Sequence, residues 1–326
     1  MLSRVAESIF WMSRYVERAE NTARFIDVNA RLILDMPMDT SLQWEPIIRV
    51  TGDSELFASQ YSSANQENVV NFLVFEHNYP NSIISSVHKA RENARTIREI
   101  ISTEMWQCIN EFYLFLSDPS AHKEAFASPN SFFSKIKNYS QLLAGVREST
   151  MFHNEGWDFS RMGRFLERAD KTSRILDMKY FIILPELDYV GTAFDTLQWA
   201  ALLRSASALD MYRKRYKQIS PSSITQFLFF DPDFPRSVRY CLKKCDQSMH
   251  DITGAPRGSY STPAERQLGM LQAEIEYADV TEIMEAGLHE YIDSFQSKLN
   301  RVGEAVASSF FATQRPETLI ERKRII

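Results

Sequence analysis

The chain has 326 residues, 44% of them hydrophobic and 24% charged, which permits a large buried core and places it among ordinary globular proteins. Its formal net charge of −5 and pI near 5.8 leave no basic footprint for nucleic acid. Cys108, Cys241 and Cys245 make no disulfide framework. No apolar run is long enough to span a membrane, and Arg4 and Glu7 interrupt any apolar leader, so a cytoplasmic protein is expected.

Ten glycines and twelve prolines are few for this length and favour long helices. The spacing predicts one helix over 3–36, ended by Pro37, and a second over about 41–51, stopping near Gly52. Shorter helices lead to Phe75. After the HNYPN turn at 77–81 a long helix is expected over about 82–117, then a loop-rich segment to Asn130 and a helix over about 131–151. Gly156 reads as a break and Asp158 as the N-cap of a helix over about 159–181, itself ended by Pro185. Further helices are expected over about 192–218, 222–230 and 235–253. The segment 253–264 is the most loop-like in the chain. It feeds a well-marked start in which Thr262 is the N-cap, Pro263 takes the first turn and Glu265 completes a capping box, with helix to about 313. The tail ERKRII at 321–326 is charged. Almost nothing reads as strand, so the fold class is all-α.

The chain also repeats itself. WMSRYVERAENTARFIDV at 11–28 returns as RMGRFLERADKTSRILDM at 161–178, 150 positions later. LQWEPIIR at 42–49 matches LQWAALLR at 197–204, and FLVFEHNYPNSI at 72–83 matches FLFFDPDFPRSV at 227–238, both 155 positions apart. Collinear blocks at this distance, far beyond solenoid periods, predict one unit built from two related helical halves, about 1–152 and 153–326. Trp44 and Trp199 in the repeated LQW read as core anchors.

The first block keeps Arg14/Arg164, Glu17/Glu167, Arg18/Arg168 and Arg24/Arg174. On a helix, Glu20–Arg24, Asp27–Arg31 and Asp170–Arg174 are i,i+4 pairs with the acid first and read as surface pairs. Arg14 and Arg18 instead share a side with Phe10, Phe25, Val28 and Leu32 on a helix apolar nearly all round, so that helix is buried. Their guanidiniums then need acidic partners or an anionic ligand. The two motif helices are therefore expected to face each other and pool Arg14, Glu17, Arg18, Arg24, Arg164, Glu167, Arg168 and Arg174 in a polar core. Two uses stay open: an ion-pair lock that sets helix register, or a ligand or catalytic site with Glu17 or Glu167 as acid or base.

Nucleotide-binding glycine motifs, HExxH, CxxC and GxSxG are all absent, and no His has Glu three residues before it, so neither metal nor cofactor is predicted. Cys241 and Cys245 read as buried helix residues, and Glu285–His289 as a surface pair. Arg257, Ser259, Tyr260 and Ser261 beside the Thr262 start form a weaker candidate for holding an anion.

Set in SRYVERAENTARFID and GRFLERADKTSRILD, the two Glu-Arg motifs resemble the alpha-E family, a predicted α-helical domain named for that motif. The resemblance extends over nearly the whole chain. It implies a setting beside a circularly permuted ATP-grasp ligase and a transglutaminase-like cysteine peptidase, hence a role in making, modifying or degrading amide-linked peptides. The family markers fall on Glu17–Arg18 and Glu167–Arg168. Two function classes follow: a non-catalytic helical partner or scaffold for the ligase, or an enzyme of amide or peptide metabolism. A third is an ATP-independent module binding a peptide or an anionic small molecule.

Overall fold

Helix-permissive composition is borne out throughout. The computed structural model describes residues 1–34, 44–181 and 192–312, and every regular element among them is helical. The first copy of the repeat contributes α1 (Ser3–Leu34), α2 (Glu45–Thr51), α3 (Ser54–Gln60), α4 (Gln66–Val70), α5 (Ile83–Thr96), α6 (Thr103–Ser117), α7 (Pro119–Ala127) and α8 (Pro129–Thr150). The second contributes α9 (Glu155–Phe181), α10 (Ala193–Ser205), α11 (Leu209–Arg215), α12 (Pro221–Thr225), α13 (Val238–Thr253), α14 (Pro263–Tyr277), α15 (Val280–Ala286) and α16 (Leu288–Val306). Wider π turns follow α4 (Asn71–Phe75), α12 (Gln226–Phe230) and α16 (Ala307–Phe311). No helix among the described residues is long and apolar enough to cross a membrane.

Several expected helices are shorter than the sequence suggests, and each break has a local cause. The 82–117 helix is two, because the chain leaves helical geometry at Ile97 and Ser102 starts α6 by accepting the Met105 N–H at 3.1 Å. The stretch 118–130, read as loop, holds α7, capped by Asp118 through the Ser120 N–H at 2.7 Å. Gly156 lies inside α9 rather than breaking the chain; Asn154, not Asp158, accepts its N–H at 3.0 Å. The 192–218 helix is split at Ser207, and the one expected to 313 is split at Asp279 and Gly287. At Thr262 the capping box is present as predicted. The breaks assigned to Pro37 and Pro185, the 321–326 tail and the Arg31 side chain lie outside the described residues.

The two motif helices, α1 and α9, cross at the centre of the protein. Ser13, Ser160 and Gly163 keep the crossing close: the two hydroxyls meet at 2.7 Å, and a Cβ at Gly163 would stand 2.3 Å from the Phe10 carbonyl oxygen. Around this pair the contacts are reciprocal. α5 and α8 cover α1, while α13 and α16 cover α9; α10 packs against α1 and α2 against α9. Matching sequence blocks take matching forms. Trp44 and Trp199 are both buried, Ser82 and Ser237 cap α5 and α13, and the chain turns left-handed at Gly52 (φ 79°) and at Ser207 (φ 50°).

Candidate functional site

The crossing brings the arginines of each motif helix to the glutamate of the other. Glu17 accepts from Arg168 through Nε and Nη2, both at 2.8 Å, and from Arg164 Nε at 3.4 Å. Glu167 accepts from Arg18 through Nε at 2.7 Å and Nη2 at 3.1 Å, and from Arg14 Nε at 2.9 Å. Paired Arg–carboxylate forks of this kind are among the strongest directional contacts a protein makes. Both glutamates are buried, at 1% and 0% exposure. Arg14 thus reaches across to α9 rather than to Glu17 on its own helix.

Each glutamate also has a neighbour one turn along. Glu20 receives Arg24 (Nη2 at 2.7 Å), Arg236 and the Ser140 hydroxyl at 2.6 Å. Asp170 receives Arg174 Nε at 3.1 Å on both oxygens and Lys171 Nζ at 3.0 Å. The expectation that Glu20–Arg24 is a surface pair is therefore overturned, while Asp170–Arg174 is half-buried, its side chains 13% and 21% exposed. Glu20 is 1% and Arg24 5% exposed, because their stripe faces α13's approach and α8, not water. Asp27 pairs with Lys137 at 2.6 Å.

The two clusters reach the same count of charges, two acids and four cations, by different routes. In the first, Glu17 and Glu20 lie among Arg24, Arg164, Arg168 and Arg236. In the second, Glu167 and Asp170 lie among Arg14, Arg18, Arg174 and Lys171. At repeat-equivalent positions the first has Asn21 with Arg236 and the second has Lys171 with Asn81. The fourth cation comes from the loop before α13 in the first cluster and from the helix α9 in the second. Arg236 fills its space, and its Nη1 reaches Asn21 at 3.1 Å. Asn81 is shorter, accepting from Arg18 Nη1 at 2.7 Å, and beside it opens a pocket of about 180 Å³ lined by Arg14, Arg18, Lys171, Arg174, Asp53 and Asp170 among others.

Electrostatics fix the protonation states. Burial alone would raise the Glu17 carboxyl, but Arg168, Arg236 and Arg164 outweigh it and hold it well below the usual carboxylate range. Glu167 is held low against its burial by Arg18, Arg14 and Lys171, and the half-buried Asp170 is brought, against desolvation, to about 2 by Arg174 and Lys171. One cation stands apart. Arg147 on α8 is 6% exposed; its Nη1 donates to Ser160 at 3.2 Å and its Nε has no partner. Burial first, then Arg164, pushes its guanidinium down to about 9. It borders a cavity of about 20 Å³, room for one water.

A family profile described as a predicted alpha-helical domain with a conserved ER motif matches residues 1–311. The chain belongs to the Alpha-E family. Among its relatives are the uncharacterized proteins Rv2567 of Mycobacterium tuberculosis and Mb2597 of Mycobacterium bovis, each 23% identical over 334 residues. The match covers 95% of this chain and 37% of each relative's length, so the chain spans little more than a third of them. No solved structure matches it. Two Glu-Arg pairs of this chain, Glu17–Arg18 and Glu167–Arg168, form the central crossed clamps.

Other sequence candidates fall elsewhere. The N-terminus of α14 is occupied by its own Glu265, which accepts the Thr262 N–H and the Ser261 hydroxyl, both at 2.8 Å, so those two donors are already used. His289 pairs with Asp177 at 2.7 Å rather than with Glu285. With Asp293 these form a group whose ligand atoms lie within 4.8 Å of one another. All three cysteines are free and buried. Sequence reasoning missed Arg147, Lys171, Asn81 and Arg236. The last three were visible as paired differences between otherwise matching blocks.

Proposed function

We propose that this chain is a non-catalytic helical partner, or scaffold, for an ATP-grasp ligase and a transglutaminase-like peptidase acting on amide-linked peptides. The observation that carries this reading is the state of the two motif glutamates. Each is buried, ionised and forked by arginines from the opposite helix. A general acid must hold a proton near neutral pH, and a general base must have a free lone pair and a reason to take one. Glu17 and Glu167 meet neither condition, which weighs against their use as acid or base. The Glu-Arg motif is instead accounted for as a brace between helices. The Mycobacterium relatives, in which the matched region is about a third of a longer chain, fit a module that works beside other segments.

The test is reconstitution. Ligase turnover and product range are measured with and without this chain, alongside co-purification of the two proteins. A stable complex with altered turnover or range supports the reading. Identical turnover and range in both assays refutes it.

A further inference from the structure

The divergence between the two clusters has left one of them open. In the first cluster Arg236 packs on Asn21 and Glu20; beside the shorter Asn81 the second has a pocket of about 180 Å³, space for roughly six waters. Its cations are not used up. Arg14 spends only Nε on Glu167, and among the described residues neither of its terminal nitrogens makes a hydrogen bond. Arg174 gives Nε to Asp170 and Nη1 to the Val50 carbonyl at 3.0 Å, and among the described residues its Nη2 makes no hydrogen bond. The same wall carries acceptors. Asp53 takes the Tyr79 hydroxyl at 2.6 Å and the Asn81 amide at 3.5 Å on Oδ2, and among the described residues its Oδ1 accepts no hydrogen bond. Partial exposure of Arg14, Lys171 and Arg174 (18%, 16% and 21%) connects the pocket to solvent.

A dianion such as phosphate would find spare donors here but would also face Asp53 and Asp170. A simple cation would face four positive groups. A group with a carboxylate at one end and an N–H donor a few ångströms away satisfies both walls, because buried polar groups select the ligand that leaves none of them unpaired. The volume lies below the range typical of drug-sized ligands, which limits the occupant to one residue's worth of atoms. We propose that this pocket binds a free α-amino acid or the terminal residue of a peptide, its carboxylate on Arg14, Lys171 and Arg174 and its N–H on Asp53. The proposal stands without the ligase partnership, although an amide-linked peptide would supply such a terminus.

The test uses the full chain and calorimetric titration with four probes: L-glutamate, succinate, inorganic phosphate and putrescine. L-Glutamate is expected to bind more tightly than succinate or phosphate, and putrescine not at all. Phosphate binding as tightly as L-glutamate, or no probe binding, overturns the proposal. The decisive variant is Asn81→Arg combined with Lys171→Asn, which copies the closed cluster into the open one at unchanged net charge. It should fold, since the first cluster already tolerates this arrangement, and lose L-glutamate binding. Undiminished binding by the folded double variant overturns the assignment. Arg14→Gln gives a second readout: without its guanidinium the ligand carboxylate forfeits one charge-assisted hydrogen bond, which weakens affinity roughly tenfold or more. Unchanged affinity there also counts against the assignment.

Discussion

Replacing Glu17 with Gln removes one negative charge and keeps the shape of the side chain. Arg164, Arg168 and Arg236 then surround a neutral amide in a region with little water, where the Glu17 and Arg168 side chains are 1% and 6% exposed. Breaking a buried pair in this way costs about 3–5 kcal/mol, and hydrogen bonds retained by the amide oxygen return about 1 kcal/mol. A net loss of about 2–4 kcal/mol follows for Glu17→Gln. Glu167→Gln should cost less. Its partners Arg14, Arg18 and Lys171 are 18%, 14% and 16% exposed and border a pocket that water can enter. Its loss therefore falls between the buried limit and the ~0–1 kcal/mol of an exposed pair, at about 1–2 kcal/mol. Urea unfolding followed by far-ultraviolet circular dichroism measures both, and a cycle with Arg168→Met isolates the coupling at Glu17. If both variants unfold at the native urea midpoint, the crossed forks do not hold α1 to α9.

Three further outcomes follow. Gly163→Ala would gain about 1 kcal/mol in helix propensity. It also drives a methyl to within 2.3 Å of the Phe10 carbonyl oxygen, so the helices must separate; a net loss of at least ~1–3 kcal/mol in thermal melting is expected, and a rise in melting temperature would contradict the close crossing. Arg147→Met removes a buried guanidinium with an orphan Nε and gives up its hydrogen bond to Ser160, for a net gain of about 1 kcal/mol; a large loss would mean that the charge is compensated. The third outcome concerns acid. Glu17, Glu167 and Asp170 have folded pKa values below their unfolded ones. Their contribution to stability is complete above the unfolded range near ~4.5 and is lost as pH falls toward the Asp170 value of about 2. Urea midpoints should therefore drop steeply below about pH 4.5, and a flat profile down to about pH 3 would show that these groups are not clamped.

The all-helical class was legible because glycine and proline are scarce, and the start of α14 because Thr262, Pro263 and Glu265 spell out a capping box. The break between α5 and α6 was harder. TIREIIST carries neither glycine nor proline, and only Ser102 before Thr103 and Glu104 marks a new start. Burial of the motif helices followed from their apolar circumference. The repeat also pointed to a pooled cluster holding Arg14, Arg18 and Glu167, but which guanidinium meets which carboxylate did not follow, since angular position on one helix does not fix its pairing with another. For the same reason Glu20–Arg24 read as exposed: an i,i+4 ion pair looks alike whether water or Arg236 lies beyond it. Ser207 shows how the repeat could have been used further. It aligns with Gly52, so its left-handed backbone was implied, and its hydroxyl there accepts from Arg24 Nη1.

The exchange of Asn21 and Arg236 for Lys171 and Asn81 also governs which copies can associate. Were the first copy to meet its twin, Glu17 and Glu20 would find Arg14, Arg18 and Arg24, with only neutral Asn21 and Asn81 at the fourth place. Were the second to meet its twin, Lys171 and Arg236 would contend for a single space. One combination is a charge short and the other overfilled. Only the pairing of unlike blocks gives each cluster two acids and four cations, so a fragment holding either block alone is expected to find no balanced mate in a second copy of itself.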